Sequence, residues 1–255
     1  MDPATAIGIG VGAVIIVVSN IMEGGNPAAL LLPAPMILVF GASILASVAG
    51  GTMADAKAAA VSLKTAFTTK PQPSNELVPV LVTLAERARR EGLLALESAS
   101  RDLDDDYLKR GITLTVDGTD PEEARDILES EIFAKQRSTK QEAKFFNDLG
   151  AYAPTFGIVG TVMGLVHVLE SLSNPDELGH LIAAAFVATL WGVLSANLIF
   201  LPIGNRIKRL GDLEVARMEI IVEGVMAIQA GANPRVVAQK LRSLIPADER
   251  EVEAA

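Results

Sequence analysis

The chain has no cysteine, which excludes disulfide cross-links and thiolate metal sites. It also lacks a nucleophile–base pair, a glycine-rich phosphate loop and a metal-ligand cluster. Neither an enzyme, a cofactor nor a resident metal is therefore expected. Internal repeats and low-complexity linkers are missing as well. The most informative absence concerns basic residues. All 22 Lys and Arg residues fall within two blocks, 50–148 and 204–255, and the stretches between are strongly apolar. Because Lys and Arg are retained on the cytoplasmic side of a membrane, this partition gives span number, orientation and the position of the soluble mass together.

Four apolar stretches, 3–22, 33–54, 149–169 and 181–203, contain no Lys, Arg, Asp or Glu, and His167 is the one imidazole among them. Each matches the ~20 residues that cross a ~30 Å hydrocarbon core as a helix. Helices are the form expected, since lipid offers no partners to an open backbone. The link at 23–32 carries Glu23 and no base, and that at 170–180 carries Glu170, Asp176 and Glu177 and no base. Both links read as external, so both termini read as cytoplasmic, in the inner membrane of a bacterium. The net charge of −9 does not conflict, because the rule counts Lys and Arg. A cleaved leader is not expected: Asp2 stands where a basic n-region belongs.

The expected fold is all-α, an integral membrane protein with four transmembrane helices and a helical cytoplasmic domain. Its parts are residues 1–54 (the first two spans), 55–148 (cytoplasmic), 149–203 (the third and fourth spans) and 204–255 (cytoplasmic helices and tail). Within 55–148, the prolines at 71 and 73 break the chain. Leu77, Val80, Leu81, Leu84 and Ala88 recur at helical spacing until Gly92 interrupts. Asp117-Gly118 reads as a turn. Asp120 followed by Pro121, Glu122 and Glu123 is a helix start, and that helix is predicted to run to about Lys144 and deliver the chain into the third span. After the fourth span, Arg206, Lys208 and Arg209 mark the inner surface and are not a nucleic-acid patch. A helix to about Gln229 is ended by Gly231, another starts at Asn233-Pro234, and Pro246 precedes an acidic tail at 248–255.

The third span places Gly157, Gly160 and Gly164 along its length, the last two as a GxxxG pair. The fourth adds Ala183, Ala184, Ala185, Ala188 and Gly192. Small residues let helices approach closely, and packing accounts for all of them. Thr161 and Thr189 admit two readings: each hydroxyl can bond its own i−4 carbonyl, or the two can line a hydrated path for a small cation. No Asp or Glu lies in any span, yet intramembrane carboxylates mark ion pathways. If the chain conducts ions, a partner supplies the acid. Pro154 and Pro202 each remove a backbone hydrogen bond near the inner end of a span, as kinks or as hinges passing motion to the cytoplasmic domain.

The strings YAPTFGIVGTVMGL (152–165), DELGH (176–180), AFVATL (185–190) and PIGNRIK (202–208), with ARREGLLALE (88–97) and VDG (116–118), resemble the MotA/PomA flagellar stator family across essentially the whole chain. The resemblance implies a homopentamer around two MotB- or PomB-like subunits, whose single transmembrane Asp binds and releases the ion. Ion flow then turns the pentamer, and its cytoplasmic face drives the rotor protein FliG. It further implies that Pro154 and Pro202 are the coupling prolines, that Arg89 and Glu97 meet the rotor with Arg90 beside them, and that Thr161 and Thr189 lie on the ion path. Without the resemblance, Glu86 at i−3 and i−4 would explain the arginines as ordinary helix-surface ion pairs. Thr161 resembles the sodium-type pattern, whereas Ala188-Thr189 resembles the proton type. Protons are expected as the transported ion; the alternative is sodium held transiently by Thr161 and Thr189. The rival functions are an energiser of the ExbB/TolQ kind and a membrane scaffold that conducts nothing.

Overall fold

The computed structural model describes residues 3–246, so the acidic tail at 248–255 lies outside the described residues. Among those described, all regular structure is helical: α1 (Ala4–Met22), α2 (Pro33–Ala49), α3 (Met53–Thr68), α4 (Leu77–Glu91), α5 (Leu96–Arg101), α6 (Asp106–Val116), α7 (Pro121–Glu170), α8 (Pro175–Gln229) and α9 (Pro234–Leu244). Contacts divide the chain into two compact units. One takes in residues up to 70 and 139–209; the other takes in 71–138 and 210 onward.

Local chemistry sets the helix ends. Asn26 Oδ1 accepts from the Ala28 N–H at 3.0 Å and organises the link between α1 and α2. Thr52 and Asp55 form a reciprocal cap on α3: the Thr52 hydroxyl accepts from the Asp55 N–H at 3.2 Å, and the Asp55 carboxylate accepts from the Thr52 N–H at 2.9 Å. The bonds from Thr52, led by that of its hydroxyl, hold the Asp55 carboxyl below its ordinary range. Asp120 accepts from the Glu122 N–H at 2.9 Å at the start of α7, as the sequence indicates. Gly92 (φ 85°) stops α4 in a backbone region that side-chain-bearing residues avoid. Gly231 (φ 68°) does the same after α8.

Two boundaries differ from the sequence reading. The second span ends at Ala49, not 54, because Gly50 and Gly51 break the helix and Thr52 starts the next one. The helix of the fourth span begins at Pro175, so its first turn includes Asp176 and Glu177, which the sequence reading left in the external link. A proline with fixed φ at the first helical position and acids beside the positive helix end favour that earlier start. Three helices, α1, α7 and α8, are long and apolar enough to cross a membrane, and α2 is a shorter apolar helix.

The first unit packs Val39, Phe146, Leu149, Ala153, Ala196, Phe200 and Ile203 together. The Phe40 ring stands 5.8 Å from Trp191, tilted against it, and 6.0 Å from Phe200, edge-on to it. Its outer surface stays apolar: Ile15, Leu45, Val162 and Phe186 are all more than half exposed. Such a surface is at home against acyl chains and would be costly in water.

The second unit has the core of a water-soluble domain. Leu81, Leu96, Leu108, Ile112, Leu128, Ile221, Val225, Ile228 and Leu241 are fully buried. Each such side chain stabilises by about 1.5–3 kcal/mol. The inward face of α4 is Leu77, Val78, Leu81, Leu84 and Ala85; Val80, expected inside, is 37% exposed. Helix α9 packs along α4 and contributes Val237 and Leu241 to the same core, against which Ala88 is partly buried.

Candidate functional site

Helices α7 and α8 approach closely in the first unit because the residues at their crossing are small. A methyl group on Gly157 would meet the Ala188 carbonyl oxygen at 3.0 Å and the Thr189 Cα at 3.2 Å. A methyl on Gly192 would meet the Ala153 oxygen at 2.7 Å and the Pro154 Cα at 3.2 Å. Gly160 and Gly164 face the Ala188 and Ala185 methyls in the same way. The backbones themselves are in contact along this seam, and nothing larger than glycine fits at 157 and 192.

That approach brings Thr161 and Thr189 together. Their hydroxyls are within hydrogen-bond contact of each other. The Thr161 hydroxyl can also donate to the Gly157 carbonyl at 3.2 Å and the Ala185 carbonyl at 3.0 Å, and Thr189 can donate to the Gly157 carbonyl at 3.4 Å. Local back-bonding and inter-helix pairing therefore coexist. A hydroxyl has one proton, so the pair has two arrangements. Either Thr189 donates to Thr161 while Thr161 donates to Ala185, or Thr161 donates to Thr189 while Thr189 donates to Gly157. Four oxygens, two hydroxyl and two carbonyl, meet at one point of an otherwise apolar seam. Among the described residues no cluster of three His, Asp or Glu side chains gathers anywhere.

Pro154 lies inside α7, which continues through it. Pro202 follows directly on a π-helical stretch, Ser195–Phe200, within α8. A π turn relaxes the i→i−4 ladder and is a place where a proline fits without ending the helix. His167 is exposed near the end of α7, as expected.

Arg89, Arg90 and Glu97 lie in the second unit, on either side of the Gly92 turn, and all are exposed. The alternative to rotor contact is a pairing of Glu86 with Arg89 and Arg90, but among the described residues no ion pair engages either arginine. The paired arginine is Arg87, which reaches Glu91 at 3.2 Å and the Ser98 hydroxyl at 2.9 Å. It ties the end of α4 to α5 and leaves its two neighbours pointing to solvent. Glu97 forms an exposed pair with Arg101 at 3.1 Å, the kind that contributes at most about 1 kcal/mol.

Sequence reasoning did not single out Trp191, whose indole N–H donates to the Leu30 carbonyl at 2.6 Å and pins the α1–α2 link to α8. It is the chain's single tryptophan. An indole N–H needs an acceptor when buried, and this was the available signal. The α4–α5 contact through Arg87 was foreshadowed only by the i,i+4 spacing to Glu91.

Comparison with known proteins agrees with this architecture. The MotA/TolQ/ExbB proton channel family matches residues 99–220, and the motility protein A N-terminal family matches residues 6–92. Motility protein A of Bacillus subtilis is 38% identical over 98% of this chain and 93% of its own length. The C. jejuni MotAB structure superposes with a TM-score of 0.93 at 32% identity, covering 97% of both chains. The flagellar MotAB stator complex from Bacillus subtilis gives a TM-score of 0.91 at 37% identity over 99% of this chain and 100% of that one. By its apolar helices, by the fold of its full length and by both family matches, the chain belongs to the motility protein A family of flagellar stator subunits, within the MotA/TolQ/ExbB proton channel group.

Proposed function

We propose that this stator subunit couples inward cation flow to rotor torque as a homopentamer around a MotB-like dimer whose transmembrane Asp carries the ion. The observation that carries the reading is the Thr161–Thr189 pair, a hydrogen-bonded cluster of oxygens on a seam whose spans contain no carboxylate. A hydroxyl pair with two proton arrangements can pass a proton or hold a bridging water. It cannot itself store the charge that crosses the membrane, so the acid comes from the partner. The relatives named MotAB supply the type of partner.

In this reading Thr161 and Thr189 line the ion path, and Gly157, Gly160, Gly164 and Ala188 hold its wall close. Pro154 and Pro202 act as hinges, Pro154 within a continuous α7 and Pro202 beside the π-helical stretch of α8. Arg89, Arg90 and Glu97 engage FliG; the two arginines have no ion pair to break before a partner carboxylate binds them. The subunit resides in the bacterial inner membrane with both termini cytoplasmic, as the distribution of Lys and Arg favours. It catalyses no covalent chemistry. Protons are the transported ion in this reading, because Ala188-Thr189 resembles the proton type; the alternative is sodium held transiently by Thr161 and Thr189.

The test is swimming speed of a strain relying on this subunit, measured while external sodium is varied at fixed proton-motive force. No response is expected. Speed that follows sodium would overturn the choice of proton and assign Thr161 and Thr189 to a sodium site.

A further inference from the structure

Two serines on α2 are in an unusual position. Ser43 is 0% exposed and Ser47 3% exposed, and neither Oγ has a hydrogen-bond partner in the protein. Serines within helices commonly donate to their own i−4 carbonyl, as Ser62 does to Ala58 at 2.8 Å in α3. Ser43 and Ser47 do not. Ser43 follows the π-helical stretch Ile37–Gly41, where the Ala42 N–H is shared between the Leu38 and Val39 carbonyls.

The two hydroxyls share one helix face, i and i+4, with Cβ atoms about 6 Å apart. A single water making bonds of about 2.8 Å to each spans that distance. Gly50 lies one turn further along the same face. A methyl there would stand 3.9 Å from the Tyr152 hydroxyl of α7, so the missing side chain opens the face toward a third polar group. No Lys, Arg, Asp or Glu lies in α2. The nearest carboxylate in sequence, that of Asp55, is committed to Thr52. A site of neutral hydroxyls with no counter-charge suits a neutral ligand rather than a bare cation. Leaving a buried hydroxyl without a partner costs about 1–3 kcal/mol each, so two side by side demand one.

We infer that Ser43 and Ser47 bind a buried water molecule within the first unit, at a site separate from Thr161 and Thr189. The π turns in α2 and α8, each next to a fully buried serine (Ser43 and Ser195), are the backbone counterpart of such a site.

The experiment uses the full complex with its MotB-type partner in lipid nanodiscs. A cryo-electron-microscopy map that resolves waters should show one peak within hydrogen-bond distance of both Oγ atoms, in sodium-containing and in sodium-free potassium buffer alike. In thermal unfolding of the same complex, Ser43→Ala and Ser47→Ala should each lower the midpoint, and the double variant should lower it little further, because one shared water is lost in either case. Three results would overturn the inference: no peak in the wild-type map, a peak that vanishes without sodium, or single-variant shifts of either sign that simply add. The wild-type map decides the matter even if the variants fail to assemble.

Discussion

The glycines at the helix crossing of the first unit and those in the core of the second differ in what a side chain would meet. In the membrane unit, a side chain on Gly157 or Gly192 would strike backbone: the Ala188 oxygen at 3.0 Å in one case, the Ala153 oxygen at 2.7 Å in the other. In the second unit, a side chain on Gly111 or Gly224 would strike side-chain ends, Val225 Cγ2 at 2.8 Å and Leu81 Cδ1 at 2.6 Å. Lipid gives helices no hydrophobic reason to associate, so the membrane unit relies on close backbone contact and short hydroxyls. Water does supply that drive, so the second unit fills its interior with Leu, Ile and Val and can place charge at its margins. Its ion pairs are correspondingly more developed. Asp105 both caps α6, accepting from the Tyr107 and Leu108 N–H groups at 2.9 Å, and pairs with Arg217 at 2.8 Å. Glu223 takes Arg125 at 2.9 Å and also Lys240.

The sharpest way to break this contrast is to add one methyl group to each kind of glycine. Gly192→Ala should yield no correctly assembled complex, because the carbonyl it meets cannot move without displacing α7; Gly111→Ala should assemble, with Val225 shifting. Recovery of the complex by size-exclusion chromatography reads both. Next in size, Asp105→Ala leaves the Arg217 guanidinium, only 10% exposed, without its carboxylate. A loss of about 3–5 kcal/mol in unfolding free energy is expected. Leu81→Ala should cost about 2–5 kcal/mol by opening a cavity in the same core. Denaturant unfolding of the intact complex, followed by a probe in the second unit, measures both.

A smaller effect is expected from acid. Burial pulls the Glu223 carboxyl upward, but the bonds from Lys240 and Arg125 together outweigh it and hold the group below its ordinary 4.5. A depressed folded-state value means that its contribution is complete above the unfolded value and is lost as pH falls through the folded one. The thermal midpoint should therefore drop below about pH 4.5, and Glu223→Gln should flatten that part of the profile. Smallest of all for folding, Arg89→Glu should leave the unfolding midpoint unchanged, since no ion pair is lost, while abolishing swimming. Motility at the wild-type level would remove Arg89 from the rotor surface.

Much of this was legible in the sequence, because membrane and solvent write different patterns. The confinement of Lys and Arg marked the apolar helices, and Asp120, Gly92, Gly118 and Gly231 marked ends that the structure places where expected. Thr161 and Thr189 could be named as a pair, but their contact depends on the depth to which Gly157 and Gly192 let two helices approach, which no spacing along one helix encodes. The inward turn of Val78 rather than Val80 was missed for a similar reason: the core it joins is built from elements distant in sequence, α9 among them. Glu86 pairs with neither arginine; the ion pair at the end of α4 is Arg87–Glu91, also at i,i+4 spacing, and the further bond of Arg87 to Ser98 crosses the Gly92 turn, which helical periodicity does not encode.

The central claim, a path whose hydroxyls are here and whose acid is elsewhere, is tested most directly by flux. The complex of this chain with a MotB-type partner lacking its plug, reconstituted in proteoliposomes, should carry a proton current that disappears when the partner's membrane Asp is replaced by Asn and falls when Thr161 and Thr189 are both replaced by Ala. Current that persists without that Asp, or no current from a fully assembled complex, would contradict the account.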